Sequence, residues 1–248
     1  MMSFETRATE FAALHVPGDP LILYNIWDAG SAKAVAAAGA KAIATGSWSV
    51  AGAQGFDDGQ KLPMDVLLDV AARIVATVDL PVTIDFEGAY AEAPELVAAN
   101  VERLIATGAV GMNFEDQVFG CAGLYSTEDQ SRRIAAARQT NAQFWINART
   151  DLFLKERDAS KHADLLGAAQ ERAAAYAEAG ANSFFIPGLT DPELIARFCS
   201  DCGLPVNVMM RGITLDAARQ AGVARCSYGP LPFAEAMSAL TAKAKALF

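Results

Sequence analysis

Pro81-Val82-Thr83-Ile84-Asp85-Phe86-Glu87 is a short apolar run that ends in two carboxylates, and the chain repeats the construction twice more. Gly111-Met112-Asn113-Phe114 runs into Glu115 and Asp116, and Phe144-Trp145-Ile146-Asn147-Ala148 runs into Arg149. Apolar runs of this length read as buried strands. Charges placed where buried strands emerge share a site when the strands are parallel neighbours, because the C-terminal ends of a parallel barrel converge on one mouth. There, three carboxylates can hold a hard divalent cation and one guanidinium can clamp an anionic substrate. The pattern is that of an enzyme.

Outward from these three runs, five more complete a set of eight: Leu21 to Tyr24, Ala42 to Thr45, Ser183 to Ile186, Val206 to Met209 and Arg225 to Tyr228 join Pro81 to Asp85, Gly111 to Glu115 and Phe144 to Ala148. Ala-rich helical segments alternate with them. Ala38-Gly39-Ala40, Thr107-Gly108-Ala109, Ala179-Gly180-Ala181 and Ala221-Gly222-Val223 repeat one helix–Gly–strand junction, as expected where glycine ends each helix. The predicted fold class is α/β, a (β/α)8 TIM-type barrel. At 248 residues the chain has the usual size of such a barrel, so one domain over 1–248 is expected.

Composition narrows the function. A net charge of −9 without a Lys/Arg cluster argues against nucleic acid, and no apolar stretch approaches the ~20 residues that cross a bilayer. The N-terminus has no basic segment followed by an apolar one, so a cytoplasmic location is the expectation. Cys199 and Cys202 form a lone Cys-x-x-Cys without a second ligand pair, which reads as two reduced thiols rather than a zinc site; Cys226 reads as core. Neither His15 nor His162 sits at a strand C-terminus. Acid–base work would then fall to a carboxylate, Tyr, Lys or Cys, or the chemistry would depend on a metal and Arg.

Alternation along a strand puts Asp85 with Glu87, Glu115 with Asn113, and Arg149 with Asn147. Crowded carboxylates repel one another, and Mg²⁺ or Mn²⁺ with retained waters would offset that. The competing reading makes them helix caps or surface ion pairs. Asp58 is a candidate fourth acid or a plain turn residue. Two long irregular stretches, Gly46 to Leu62 and Gln117 to Ser126, follow strands and would lie at the mouth. In the first, amides of Gly46, Ser47 and Trp48 can approach a carboxylate or phosphonate.

Ile84-Asp85-Phe86-Glu87-Gly88-Ala89-Tyr90, Asn113-Phe114-Glu115-Asp116-Gln117, Asn147-Ala148-Arg149-Thr150-Asp151 and Phe185-Ile186-Pro187-Gly188 resemble, in order and spacing, the isocitrate lyase/phosphoenolpyruvate mutase superfamily. Asn25-Ile26-Trp27-Asp28-Ala29 and the segment from Ala44 to Gly59 fit the same pattern, so the resemblance spans nearly the whole chain. It implies a barrel enzyme that binds Mg²⁺ and a 2-oxo acid or its enolate. Asp85 would be the principal metal ligand, with Glu87, Glu115 and Asp58 coordinating directly or through water. Arg149 would grip a substrate carboxylate, the amides of Gly46, Ser47 and Trp48 another oxygen, and Asn207 would face the substrate.

Departures from the pattern matter as much. The lyases of this superfamily carry a Lys-Lys/Arg-Cys-Gly-His loop after the fourth strand; here the place reads Val118-Phe119-Gly120-Cys121-Ala122-Gly123-Leu124-Tyr125. The mutase-type Lys and Asn are missing too. Cys121 reads as an ordinary loop thiol, and the chain resembles the shorter members related to oxaloacetate decarboxylases and 2-oxo acid binders. The expectation is a Mg²⁺-dependent lyase acting on a small 2-oxo or 2-hydroxy carboxylate, with Arg149, Glu115 and Tyr125 as catalytic candidates. Phosphorus–carbon chemistry and a non-catalytic 2-oxo acid binder are the alternatives. The loop Gln117 to Ser126 is expected to move and to decide the substrate, with Tyr125 as proton donor or lid anchor. Superfamily habit implies a homotetramer in which the final helix, about 232–246, is exchanged between subunits.

Overall fold

Each expected run forms a strand, and the helices between them return the chain so that every strand starts in the same direction. The computed structural model describes residues 2–248, so the first residue of the expected unit lies outside the described residues. The strands are β1 (Leu21–Leu23), β2 (Ile43–Ala44), β3 (Val82–Asp85), β4 (Gly111–Glu115), β5 (Trp145–Arg149), β6 (Ser183–Phe185), β7 (Val206–Met209) and β8 (Arg225–Ser227). The helices are α1 (Phe4–Ala13), α2 (Ala29–Ala37), α3 (Ser47–Ala53), α4 (Met64–Val75), α5 (Pro94–Ala106), α6 (Thr127–Thr140), α7 (Leu152–Lys155), α8 (His162–Glu178), α9 (Pro192–Asp201), α10 (Leu215–Gln220) and α11 (Leu231–Lys245).

The ladders are parallel in the order β1-β8-β7-β6-β5-β4-β3-β2. Ile26 closes the ring: its N–H donates to the Ala44 carbonyl at 2.8 Å and its carbonyl accepts from the Gly46 N–H at 3.3 Å. This is a (β/α)8 barrel, as the sequence pattern predicts.

Local chemistry explains the helices. α4 buries Leu67, Leu68, Ala71, Ile74 and Val75, the three- and four-residue spacing of one helical face. Pro94 and Pro192 open α5 and α9, where a missing N–H costs nothing. At the repeated junctions Gly39, Gly108, Gly180 and Gly222 have φ of 95°, 88°, 105° and 79°, the left-handed turn that glycine adopts without penalty.

Two helices depart from expectation. The irregular stretch from Gly46 contains α3, because extended Gly46 caps it and small residues let it lie against the barrel. α1, unforeseen, plugs the barrel floor: Phe11 packs edge-on to Trp145 with ring centroids 5.9 Å apart, in a cluster with Leu21, Leu23, Ala42 and Ala44. His15 stacks on Trp145 at 4.1 Å, and burial presses its pKa down to about 3. Both histidines stay outside the mouth. In α11 the first turn packs on its own barrel, with Phe233 edge-on to Trp27 and Trp48 at 5.0 and 5.7 Å, while Met237 and Leu240 are exposed.

The tightest joint lies inside the ring. A methyl group on Gly111 would approach the Trp145 carbonyl oxygen to 2.8 Å and its Cβ to 2.9 Å. Gly111→Ala should therefore destabilise the protein by about 1–3 kcal/mol, measured by urea denaturation; an unchanged midpoint would show that β4 and β5 can part without cost.

Candidate functional site

β4 and β5 pair in a register that sets Glu115 opposite Arg149, and their side chains meet at the mouth. Nη1 of Arg149 lies 2.7 Å from Glu115 Oε2, while its Nε and Nη2 donate to the two oxygens of Asp151 at 2.6 and 3.1 Å. Bidentate geometry of this kind fixes a guanidinium plane. Burial works against the charge of Arg149, but Glu115 and Asp151 outweigh it and raise its pKa. Further N–H groups on Nη1 and Nη2 remain for an anion.

Asp85 ends β3. Its Oδ2 accepts the Ser47 N–H at 2.9 Å, Asn113 Nδ2 reaches its Oδ1 at 3.4 Å, and its own N–H donates to Thr45 Oγ1 at 2.9 Å. Beyond it the chain turns through Glu87, Ala89 and Tyr90 with φ of 50°, 59° and 53°. Left-handed non-glycine residues cost of the order of 1–3 kcal/mol each, so something must hold this turn. Arg133 of α6 does so, donating through Nη2 to the carbonyls of Gly88 at 2.7 Å and Ala91 at 2.9 Å. The Gln60 N–H, in turn, donates to Glu87 Oε2 at 2.8 Å.

Two adjoining cavities open here. One, of about 490 Å³, includes Asp58, Glu87, Glu115, Arg149, Asp151 and Phe119 in its wall; its neighbour, of about 370 Å³, adds Asp85, Trp48, Phe185 and Arg211. Ser47, Asp58 and Arg149 face both. Burial, then Asp58 and Asp85, push Glu87 up to about 8. Asp58 is raised by burial and by Asp85. Glu115 is raised well above the usual carboxylate range by burial, with Arg149 acting against the shift and Asp151 adding to it.

Residues 11–248 match a family model described as phosphoenolpyruvate phosphomutase. The chain belongs to this family. It is 32% identical to the 2-methylisocitrate lyase of Escherichia coli K12, covering 96% of this chain and 82% of that one. A crystal structure from Burkholderia cenocepacia J2315, provisionally assigned as a phosphonomutase, is 44% identical with a TM-score of 0.96, over 99% of this chain and all of that one. The phosphonopyruvate hydrolase complex with oxalate and Mg²⁺ shares the fold, at 22% identity and a TM-score of 0.81 over 97% and 85% of the two chains. The chain is thus an enzyme of the isocitrate lyase/phosphoenolpyruvate mutase superfamily.

Within this phosphomutase-family barrel, several expected roles need correction. Among the described residues no three His, Cys, Asp or Glu side chains are grouped so as to hold a metal ion among themselves; Glu115 turns to Arg149 and Glu87 to the Gln60 amide. Asp85, Glu87 and Asp58 still fit a hard cation: they are oxygen donors only, and their mutual repulsion is what a divalent ion removes. A Mg²⁺ ion that keeps several waters needs no all-protein cage. The amides of Gly46 and Ser47 are already given to Ile26 and Asp85, so they are not an oxygen pocket. Trp48 does line the second cavity.

Tyr125 does not reach the mouth. The Arg133 guanidinium draws its ring into a 4.0 Å stack, beside a separate cavity of about 290 Å³. Asn207 is fully buried beneath the cavities, level with Arg225 in the ladder. Asp116 faces outward to Arg172 and Tyr176 at 2.9 and 3.1 Å. Residues the sequence reading passed over include Asp151, which clamps Arg149, and the cations Lys155 and Arg157 on the cavity wall. Asp151 had a signal, an acid two residues after the strand-end Arg; the two cations had none.

The raised Glu87 pKa gives a test by linkage. Its proton is held up to about 8 in the folded protein, against an ordinary value of 4.5 for a free Glu. Stability from this group is therefore fully present at low pH and is lost as pH rises through about 8. With a chelator present, urea stability should fall across that window, and Glu87→Gln should flatten the fall; superimposable profiles would remove Glu87 as its source.

Proposed function

We propose that the protein is a Mg²⁺-dependent lyase that cleaves or decarboxylates a small 2-oxo or 2-hydroxy carboxylate through an enolate. The observation that carries this reading is Arg149, held by Glu115 and Asp151 with N–H groups left over, beside the Asp85, Glu87 and Asp58 carboxyls. Asp85, with Glu87 and Asp58, would hold the cation. When bound, Mg²⁺ supplies Lewis-acid stabilisation of developing negative charge on the substrate. Arg149 orients a substrate carboxylate and stabilises charge as it forms, and because it is already fixed, little reorganisation is needed at that moment. Glu115, ion-paired with Arg149, helps keep the guanidinium charged and fixed in the plane that meets the substrate. Lys155 and Arg157 give the cavity an anion-attracting wall, and Phe119 with Leu154 narrows its access to water.

Similarity to the Escherichia coli 2-methylisocitrate lyase supports carbon–carbon chemistry. A second reading, cleavage of a phosphorus–carbon bond, is favoured by the 44% identity to the Burkholderia protein, while the missing loop Lys and Asn weigh against it. Purified protein with Mg²⁺ should release pyruvate or glyoxylate from oxaloacetate, a substituted malate or methylisocitrate. Release from none of them would reject the lyase, and phosphonopyruvate turnover followed by phosphorus NMR would install the second reading.

Asp85→Ala should abolish Mg²⁺-dependent substrate binding without unfolding the protein, by calorimetry and circular dichroism; unchanged binding would take Asp85 out of the site. Arg149→Lys should lower kcat by about 100-fold or more, as loss of a preorganised donor does, since an ammonium cannot satisfy Glu115, Asp151 and a ligand in one plane. Wild-type kinetics would make Arg149 structural. A cytoplasmic homotetramer is part of the same proposal, and a monomer mass in light scattering at micromolar concentration would reject that assembly.

A further inference from the structure

Under the mouth lies a row of polar side chains in one continuous direction. Trp145 Nε1 donates to Ser183 Oγ at 2.8 Å, Ser183 Oγ to Asn147 Oδ1 at 2.6 Å, and Asn147 Nδ2 to Asn113 Oδ1 at 2.8 Å; Asn113 Nδ2 then reaches Asp85 Oδ1. Strand register produces the row, since Asp85, Asn113, Asn147 and Ser183 are successive ladder partners. Aligned donors polarise one another, and every dipole here ends on the carboxylate of Asp85.

Arg225 joins the row from across the barrel. It is fully buried in β8, and its Nη2 donates to Asn113 Oδ1 at 2.9 Å while its Nε and Nη1 have no partner. Burial lowers its pKa to about 9, with Asp85 acting in the opposite sense, so it is a cation at neutral pH. A guanidinium buried without a carboxylate in contact is costly, and an apolar side chain of the same volume would fill the space at no such penalty. What the charge does achieve is to polarise Asn113, making its Nδ2 a stronger donor.

We propose that Arg225 is a positioning residue that acts through Asn113 to hold Asp85 in the orientation that receives a divalent cation. The proposal rests on the reading of Asp85 as a cation ligand. It assigns a functional role to a residue that touches neither cavity.

Mn²⁺ alone is the probe, its free concentration followed by electron paramagnetic resonance, with melting temperature measured alongside. Wild-type protein should bind Mn²⁺. Arg225→Met should fold with a melting temperature at or above wild type yet weaken Mn²⁺ binding about 10- to 100-fold, the usual loss for a residue behind a metal ligand. Arg225→Lys should recover part of the affinity, and Ser183→Ala, which cuts the row at its far end, should show a smaller loss. A merely structural Arg225 would lower the melting temperature and leave Mn²⁺ affinity alone, which overturns the proposal. Should Arg225→Met fail to fold, wild-type affinity in both Arg225→Lys and Ser183→Ala overturns it. Wild-type protein that binds no Mn²⁺ would bring down the reading of Asp85 and this proposal together, whereas wild-type binding with unaffected variants removes this proposal alone.

Discussion

The ion pair between Glu115 and Arg149 depends on a single register choice, the pairing of β4 with β5. A slip of one residue between them would turn one of the two side chains into the helical shell and leave the other without its partner. The same ladder aligns Asn113 with Asn147, and its neighbour aligns Asp85 with Asn113. Gly111, at the start of β4, lets the two backbones approach closely enough for this register to hold. The acids at the mouth, Arg149 and the polar layer beneath are thus set side by side by two neighbouring parallel registers.

Strain concentrates beside that alignment. The turn from Glu87 to Tyr90 adopts left-handed backbone at three non-glycine positions, and it stays there because Arg133 binds its carbonyls and Asn100 Nδ2 donates to the Ala89 carbonyl at 2.9 Å. Gly88 contributes in a different way, since a methyl group there would come within 2.6 Å of the Phe119 ring and that side chain would have to move. The loops after β3 and β4 are therefore fitted to each other.

Much of this was legible in the residues. Apolar runs ending in charge marked the strands, repeated glycine junctions marked the helix ends, and the acids at 85, 87 and 115 with Arg149 marked the mouth. What escaped was partnership. Nothing in the spacing says that Asp151 would claim two nitrogens of Arg149, that Arg133 would take Tyr125 away from the cavity, or that the Ser47 amide would turn to Asp85. Those outcomes are set by competition among long, flexible side chains for a few buried partners, which only the assembled barrel decides. α1 was missed for a related reason: its apolar face makes sense only against the barrel floor it covers.

That floor has a consequence for where a ligand sits. With Phe11, Trp145 and His15 packed across the bottom of the ring, the N-terminal end of the barrel is filled by side chains. A ligand bound at Arg149 therefore lies toward the C-terminal ends of the strands, where both cavities are found.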